Sequence, residues 1–395
     1  MVLDVKRTAL LVLLLLATII ELSTAETFEC TVEEYGPEKH KYCVFRSVKY
    51  TKDTTDIVFK APASKQPRVV FEDSELEHLP KDFLAKFGND LKVLNVSSCK
   101  LRSVVITKAM EELYAIDNYI AKVIVHQTAQ SSPMKEIYLQ SNRLTDISNI
   151  TRSCKNVRIL DLSRNQELAQ QSELNIAMFD GYTQLEYLLL ADVGAFYLNY
   201  KKDPKLPSLT LLDLSMNNLI DSDLRLEYFN NFEKLAVLRL NDNSMSAIAY
   251  PQFTEMKSLK QVFLEGNTFE CGYLKKMIQF LNEKGIETPV ARSARNCGSG
   301  FNVESQMCCK SEYLQSVGIK DTKLPNEADS SAVATPSAIT DTPTSHEVTT
   351  KRNDGVTTGA KSNGDSTPPN NGITLHSINI GVIICGLILM LMSIE

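Results

Sequence analysis

Nine cysteines are the residues of this 395-residue chain whose type and spacing suggest covalent chemistry. Six of them form two groups at the ends of a long repetitive region, where disulfides would close short loops. The C-terminal group has four cysteines, which allow three pairings. A bridge between the neighbours Cys308 and Cys309 would strain its ring, which favours the two pairings in which each bonds Cys271 or Cys297. The disulfide candidates are Cys30, Cys43, Cys271, Cys297, Cys308 and Cys309.

Other roles for these thiols receive less support from the sequence. Cys30 and Cys43 could form a reactive pair, and the C-terminal group could bind zinc, but no CxxC spacing is present. Cys99 stands where a repeat normally has asparagine, which predicts a buried thiol. Cys154 precedes a predicted strand and is the candidate for an unpaired or intermolecular thiol, with a buried structural cysteine as the alternative.

Catalytic chemistry has no recognisable motif in the chain. The five histidines are scattered, no phosphate-binding loop is present, and Asp213-Leu214-Ser215 belongs to a repeat. The formal net charge of -6 disfavours nucleic acid as a partner. We therefore predict a protein that is not an enzyme, with no cofactor and no metal site.

Two sequons predict N-glycosylation, at Asn95 (Asn95-Val96-Ser97) and at Asn149 (Asn149-Ile150-Thr151). Asn95 falls on a predicted strand, so a glycan there would cover one end of the sheet. The alternative is that Asn95 stays unmodified because that strand is poorly accessible.

A repeated pattern must position all of these groups, and its clearest copy runs from Leu209 to Leu219. It reads L-x-x-L-x-L-x-x-N-x-L, the core of a leucine-rich repeat. Leu212 and Leu214 alternate toward the core, and Asn217 can bond the backbone of the adjacent turn. One copy cannot bury its own apolar face, so the pattern implies stacked neighbours. The fourth positions of nine irregular copies are Val69, Leu94, Leu113, Ile137, Leu160, Leu188, Leu212, Leu238 and Val262.

The nine repeats and the cysteine groups on either side of them predict an α/β leucine-rich repeat solenoid of about nine repeats, with a parallel concave sheet and disulfide-stapled caps. Residues 1–25 are a predicted signal peptide, with an uncleaved anchor as the alternative. Residues 26–67 form an N-terminal cap, 68–269 the repeats, and 270–320 a Cys-containing C-terminal cap. In that cap a helical pattern places Leu274, Met277, Ile278 and Leu281 on one face.

The C-terminal region has two predicted parts. Residues 321–375 read as a disordered Ser/Thr/Pro-rich stalk whose O-glycosylation is open. Residues 376–395 are apolar and lack basic residues after the run, which favours a glycosylphosphatidylinositol (GPI) anchor signal over a transmembrane segment. The anchor-site candidates are Ser362, Asn363 and Gly364.

The concave side of the solenoid is the predicted binding face. It combines exposed tyrosines and leucines in the middle repeats with more acidic than basic groups, which suits a protein ligand and disfavours a polyanion. The alternative is a solvated acidic surface with scattered apolar residues. The candidates are Tyr114, Tyr138, Asp161, Tyr187, Leu189, Leu211, Asp213, Arg239 and Phe263.

Several features together resemble secreted insect leucine-rich repeat proteins, and more narrowly the mosquito leucine-rich repeat immune proteins. They are the Cys30 to Cys43 segment, the Val69-Val70-Phe71 to Leu79-Pro80 segment, Cys99 after a strand, and Cys271, Cys297 and the double cysteine after the repeats. The resemblance implies extracellular immune recognition, in some members through complexes that hold complement-like thioester proteins.

The chain departs from that family in one respect. Long members carry a C-terminal coiled coil, whereas residues 310–372 show no heptads, so a coiled-coil heterodimer is not expected. We predict a cell-surface protein that binds a complement-like or microbial surface protein in innate immunity. The alternatives are a GPI-anchored adhesion protein and a soluble haemolymph immune factor.

Overall fold

The computed structural model describes residues 25–35, 39–51, 54, 57–60, 68–126, 132–290 and 296–311. All of them belong to a compact unit that spans Met1–Leu314. The predicted signal peptide up to residue 24, the stalk, the C-terminal apolar segment and Ser362, Asn363 and Gly364 lie outside the described residues.

One sheet of eleven strands runs through the described unit, and nine of its strands carry the predicted repeats. The strands of that sheet are, in spatial order, Gln261–Phe263, Val237–Arg239, Leu211–Asp213, Tyr187–Leu189, Ile159–Asp161, Glu136–Tyr138, Glu112–Tyr114, Val93–Asn95, Arg68–Glu72, His40–Arg46 and Thr31–Tyr35. All neighbours are parallel except the last pair. Every predicted fourth position lies opposite the fourth position of the next repeat, as Leu188 lies opposite Leu212. The leucine-rich repeat solenoid is therefore confirmed.

The N-terminal segment supplies one further turn of the solenoid. Strand His40–Arg46 pairs in parallel with the first predicted repeat, and Cys43 lies opposite Val69. The Ser47 amide donates to the Glu72 carbonyl at 3.1 Å, as the equivalent amides of later repeats do. The leucine pattern missed this turn because Cys43, Phe45 and Val48 replace its leucines and asparagine.

A residue with a left-handed backbone conformation lies in the turn after the strand of every repeat, at the eighth position. The turn that follows the strand needs a positive φ, which Asp, Asn, Ser and Gly tolerate better than branched or bulky residues. Gly266 fits closely there, because a Cβ at this position would lie 2.1 Å from Asp242 Oδ1. The residues are Asp73, Ser98, Asp117, Ser141, Arg164, Asp192, Met216, Asp242 and Gly266, with φ between 46° and 73°.

Buried asparagines at the ninth position connect successive repeats. Asn165 accepts from the Leu144 amide of the preceding repeat at 2.9 Å and donates to the Leu139 carbonyl of that repeat at 3.1 Å. It also donates to its own turn, at the Leu162 carbonyl. This confirms the role expected for the side-chain amide of Asn217, which bonds in the same way. The asparagines are Asn118, Asn142, Asn165, Asn217, Asn243 and Asn267.

Three repeats lack the asparagine, with Ser74, Cys99 and Val193 in its place. The Ser74 hydroxyl accepts from the Val48 amide at 3.0 Å, and the other two repeats use their own backbone carbonyls. The Leu76 amide donates to the Cys99 carbonyl at 2.7 Å, and the Ala169 amide donates to the Val193 carbonyl at 3.1 Å. The Cys99 thiol also lies 3.8 Å from the Phe71 carbonyl, where an asparagine would donate its amide. Backbone groups in these turns are thus paired even where the motif fails.

The return segments on the other side of the solenoid are short, as the prolines predict. Their helices are Lys81–Phe87, which begins after Pro80, and Ser148–Ser153. Their 3-10 turns are Gln170–Ser172, Ile176–Phe179, Asp221–Asp223, Leu226–Asn231 and Tyr250–Glu255. Small parallel pairs join Glu26–Glu29 to Ile57–Lys60, Lys49–Tyr50 to Glu75–Leu76, Ser103–Ile106 to Lys122–Val125, and Glu173–Leu174 to Tyr197–Leu198.

The caps carry three disulfides. Cys30 bonds Cys43 between the first two strands of the sheet. At the other end the helix Cys271–Glu283 buries the four predicted apolar residues, and strands Phe301–Glu304 and Met307–Lys310 pair antiparallel beyond it. The bonds there are Cys271–Cys309 and Cys297–Cys308, one of the two favoured pairings.

Within the described ranges, two cysteines remain as free thiols, and both are buried. Burial raises the pKa of Cys99 to about 12 and that of Cys154 to about 11. Cys154 has no exposed surface, so an intermolecular bond through it is not compatible with the folded chain, whereas the buried-thiol alternative is.

Candidate protein-binding face

Two rows of side chains project from the concave side of the sheet, because alternate residues of a strand share a face. The third row, from the third position of each of the last seven repeats, consists of Glu112, Glu136, Ile159, Tyr187, Leu211, Val237 and Gln261. The fifth row consists of Tyr114, Tyr138, Asp161, Leu189, Asp213, Arg239 and Phe263. All nine predicted residues lie in these two rows, on seven consecutive strands.

Two tyrosines and two glutamates form a cluster at the N-terminal side of these rows. The Tyr114 and Tyr138 rings are stacked, with centroids 4.8 Å apart and an interplanar angle of 9°. Tyr114 donates its hydroxyl to Glu112 Oε2 and Tyr138 donates to Glu136 Oε2, each at 3.2 Å. Burial and these carboxylates raise the pKa of both phenols. We call these four residues the tyrosine–glutamate cluster.

The expected exposure of Tyr138 is wrong, since only 4% of its surface is accessible. The ring of Tyr114 covers it from the neighbouring strand, and the carboxylate of Glu136 holds its hydroxyl. Tyr114 itself is half-buried. Stacking across adjacent strands therefore converts two predicted exposed rings into one fixed aromatic wall.

Three of the four carboxylates in the two rows form no salt bridge within the described part of the chain, the exception being Asp213. These three are Glu112, Glu136 and Asp161. Burial, followed by the charge of Glu112, raises the pKa of Glu136. Burial also raises the pKa of Asp161 to about 6, although Asp161 accepts from the Ser163 amide at 3.0 Å.

Carboxylates at the second position of the same repeats, by contrast, do form salt bridges. Glu111 contacts both Lys92 and Lys135, at 3.2 and 2.7 Å. Glu186 pairs with Arg158 at 3.0 Å. The second-position carboxylates Glu111 and Glu186 are thus neutralised by the chain itself, whereas Glu112, Glu136 and Asp161 form no salt bridge among the described residues.

Apolar side chains fill the third row in the middle repeats. Ile159, Tyr187, Leu211 and Val237 lie on four adjacent strands in direct register. Ile159 and Tyr187 are half-buried, but only 6% of the surface of Leu211 and 5% of the surface of Val237 are accessible to solvent. The expected exposure of Leu211 is therefore wrong, because its neighbours along the row cover it. Leu189, in the fifth row, is half-buried.

A charge pair occupies the C-terminal part of the fifth row. Asp213 accepts from the Ser215 amide at 2.9 Å and from the Ser215 hydroxyl at 2.6 Å. Arg239 donates through Nη1 to Asp213 at 3.4 Å, and its guanidinium lies 5.1 Å from the Phe263 ring centroid. This arrangement fixes Arg239 between an acid and an aromatic ring.

The two sequons have different surroundings. Asn95 lies in register with Tyr114 on the concave sheet, is half-buried, and accepts from the Ser97 amide at 3.0 Å. Asn149 is exposed on the helix Ser148–Ser153, outside the main sheet, and donates to the Val123 carbonyl at 2.9 Å. Glycosylation at either position stays a prediction.

The sequence-based candidate set missed Glu112, Glu136, Ile159 and Val237. Their signal was available in the third position of each repeat, next to the fifth-position residues that were chosen. What the sequence could not supply was the contact between the rows, such as the bond from each tyrosine to the glutamate two residues earlier.

The described residues contain no group of three or more His, Cys, Asp or Glu side chains that could hold a metal ion. Over the same ranges, no helix combines the length and apolar character needed to cross a bilayer.

Comparison with known proteins finds sequence relatives that match less than half of this chain. No family model matches the chain. Tubulin-specific chaperone E of Pongo abelii is 31% identical over 159 residues, which is 38% of this chain and 29% of that protein. Transforming growth factor beta activator LRRC33 of Danio rerio is 26% identical over 172 residues, which is 43% of this chain and 23% of that protein. The chain thus spans less than a third of either relative.

Solved leucine-rich repeat structures are also similar to this chain. The crystal structure of the leucine-rich repeat domain of APL1B gives a TM-score of 0.48 at 23% identity, covering 68% of this chain and 86% of that one. The crystal structure of the LRIM1/APL1C complex gives a TM-score of 0.42 at 18% identity, covering 73% of this chain and 72% of that one. The insect subfamily predicted from the sequence stays a prediction.

Proposed function

We propose that this chain is an extracellular, non-enzymatic leucine-rich repeat protein that binds a protein ligand on its concave face in innate immune recognition. The observation that carries the proposal is the composition of the third and fifth rows. Aromatic and apolar side chains line seven adjacent strands, and the charged groups among them are held in fixed positions. Anchoring aromatics framed by charges are typical of protein-binding surfaces.

The extracellular compartment is supported by the cysteines. Three disulfides close both caps, and such bonds persist in oxidising compartments. The immune role and the choice of a complement-like or microbial surface protein as ligand follow from the resemblance of the cysteine pattern to the mosquito immune proteins. A GPI anchor at residues 376–395 would place the protein on the outer side of the plasma membrane.

The binding experiment compares two tyrosines that receive the same substitution. Tyr187 is half-buried in the third row, whereas Tyr197 is exposed on a return strand outside the main sheet. We expect Tyr187→Arg to abolish capture of a complement-like or microbial surface protein by the secreted ectodomain, and Tyr197→Arg to leave it intact. Equal capture by wild type and Tyr187→Arg would refute a concave binding site.

The anchoring experiment treats insect cells that express the full chain with phosphatidylinositol-specific phospholipase C. Release of the protein into the medium supports the GPI-anchored form, which also suits an adhesion protein. The two roles are then separated by whether expressing cells aggregate. Retention of the protein on the cell supports a transmembrane segment, and protein already present in untreated medium supports a soluble haemolymph factor.

A further inference from the structure

The tyrosine–glutamate cluster differs from its surroundings in how its charge is balanced. Glu111, one residue before Glu112, contacts two lysines. Glu112 and Glu136 have no lysine or arginine within salt-bridge distance in the described chain, although both are half-buried. A half-buried carboxylate without a counter-charge is costly, so the chain leaves negative charge here that its own residues do not compensate.

The basic groups nearest to the cluster are already engaged or stand apart from it. The charge of Arg158 acts to lower the pKa of Glu136, but its guanidinium donates to both carboxylate oxygens of Glu186, at 3.2 and 3.0 Å. The charge of Arg68 acts to lower the pKa of Tyr42, and the charge of Arg164 acts to lower the pKa of the neighbouring Asp161. None of these residues bonds Glu112, Glu136 or Asp161 in the described ranges, so the local charge stays negative.

The cluster also has spare capacity to accept hydrogen bonds. Each tyrosine donates one hydrogen bond to Oε2 of its own glutamate, whereas a carboxylate can accept about four, so Glu112 and Glu136 keep acceptor capacity. Gln140, which follows the end of the strand Glu136–Tyr138, has a buried Oε1 atom that is unpartnered among the described residues. A group that brings several N–H donors and a positive charge would satisfy the carboxylates of Glu112 and Glu136.

We propose that this cluster receives an arginine side chain of the bound protein, so that the ligand segment facing Glu112 and Glu136 is cationic. The two glutamates lie on adjacent parallel strands, about 4.8 Å apart in the direction of the backbone hydrogen bonds. A planar guanidinium with five donors can bridge two such carboxylates, and the stacked tyrosines supply an aromatic wall beside it. This inference deepens the proposed function and rests on it.

The test uses titration calorimetry of the secreted ectodomain with a short peptide that carries two adjacent arginines. A second peptide has glutamines in their place. We expect the arginine peptide to bind, and the Glu112→Gln/Glu136→Gln double variant to bind it at least about tenfold more weakly. The control is Glu111→Gln/Glu186→Gln, which removes two equal charges that salt bridges already neutralise and should change binding less than about threefold. Thermal unfolding of each variant verifies that it is folded.

Three outcomes would overturn the inference. They are absence of binding by the arginine peptide, equal binding by the glutamine peptide, and equal loss in both double variants, since the last would mean non-specific attraction. The proposed function has its own readout in Tyr187→Arg. If the peptide fails but Tyr187→Arg still abolishes protein capture, only the arginine inference is wrong; if Tyr187→Arg has no effect, the concave site itself is wrong.

Discussion

Replacing Asp161 by asparagine should stabilise the protein at neutral pH. Asp161 is 9% exposed, and burial raises its pKa from 3.8 to about 6. Each pKa unit corresponds to about 1.4 kcal/mol of difference between the two protonation states. The ionised carboxylate therefore costs about 3 kcal/mol of folding free energy above pH 6. Asparagine keeps the acceptor for the Ser163 amide and removes the charge.

The pH dependence gives the sign of this effect. The folded chain binds the Asp161 proton more tightly than the unfolded chain does, so its contribution to stability is fully present below pH 4 and is lost as the pH rises through 6. The free energy of unfolding of Asp161→Asn should equal that of wild type near pH 4. Above pH 6.5 it should exceed the wild-type value by about 1–3 kcal/mol.

Urea unfolding followed by circular dichroism at pH 4, 6 and 7.5 measures this difference. Asp213→Asn is the matched control: Asp213 lies in the same row but pairs with Arg239 at 3.4 Å, so its replacement should destabilise the protein at pH 7.5. A pH-independent difference for Asp161→Asn, or a loss of stability at pH 7.5, would refute the reasoning.

Three further predictions concern the scaffold. Asn165→Ala should lower stability by about 3 kcal/mol or more in urea unfolding, because it leaves buried backbone groups of two repeats unpaired; the exposed Asn149→Ala should cost little. Cys271→Ser/Cys309→Ser should cost about 4 kcal/mol from a loop of sequence separation 38, detectable as a lower thermal midpoint. Iodoacetamide should leave Cys99 and Cys154 unmodified in the native protein and alkylate both in urea, as mass spectrometry would show; alkylation of native Cys154 would contradict its burial.

The repeats were predictable because each carries its own register. A leucine at the fourth position and an asparagine at the ninth define both the strand and the contact to the next repeat, and the structure pairs all nine fourth positions. The turn at Cys43 was not predictable in this way, because its apolar residues follow the spacing but its asparagine position holds Val48. The backbone amide of Val48 donates to the Ser74 hydroxyl at 3.0 Å.

The candidate face was predictable in position but not in exposure. Repeat numbering assigns Tyr138 and Leu211 to the concave side correctly, yet it treats each side chain alone. Their burial depends on the side chains beside them on adjacent strands, such as Tyr114 against Tyr138. The sequence also left two disulfide pairings open. The choice between them depends on the hairpin, which orients Cys308 and Cys309 in opposite directions.

The missing asparagine at Val193 has a consequence for how the protein would come apart. Asparagine contacts run without interruption from Asn118 to Asn165 and again from Asn217 to Asn267. Between the two series Val193 replaces the buried asparagine, and backbone bonds, packing and exposed side-chain contacts such as the Arg158–Glu186 salt bridge join them. The turn opposite is also tight, since a Cβ on Gly194 would lie 2.2 Å from the Gln166 carbonyl. Under a stretching force we expect the solenoid to yield first at this junction, so that a pulling experiment records two mechanical units of unequal length instead of a gradual peeling of single repeats.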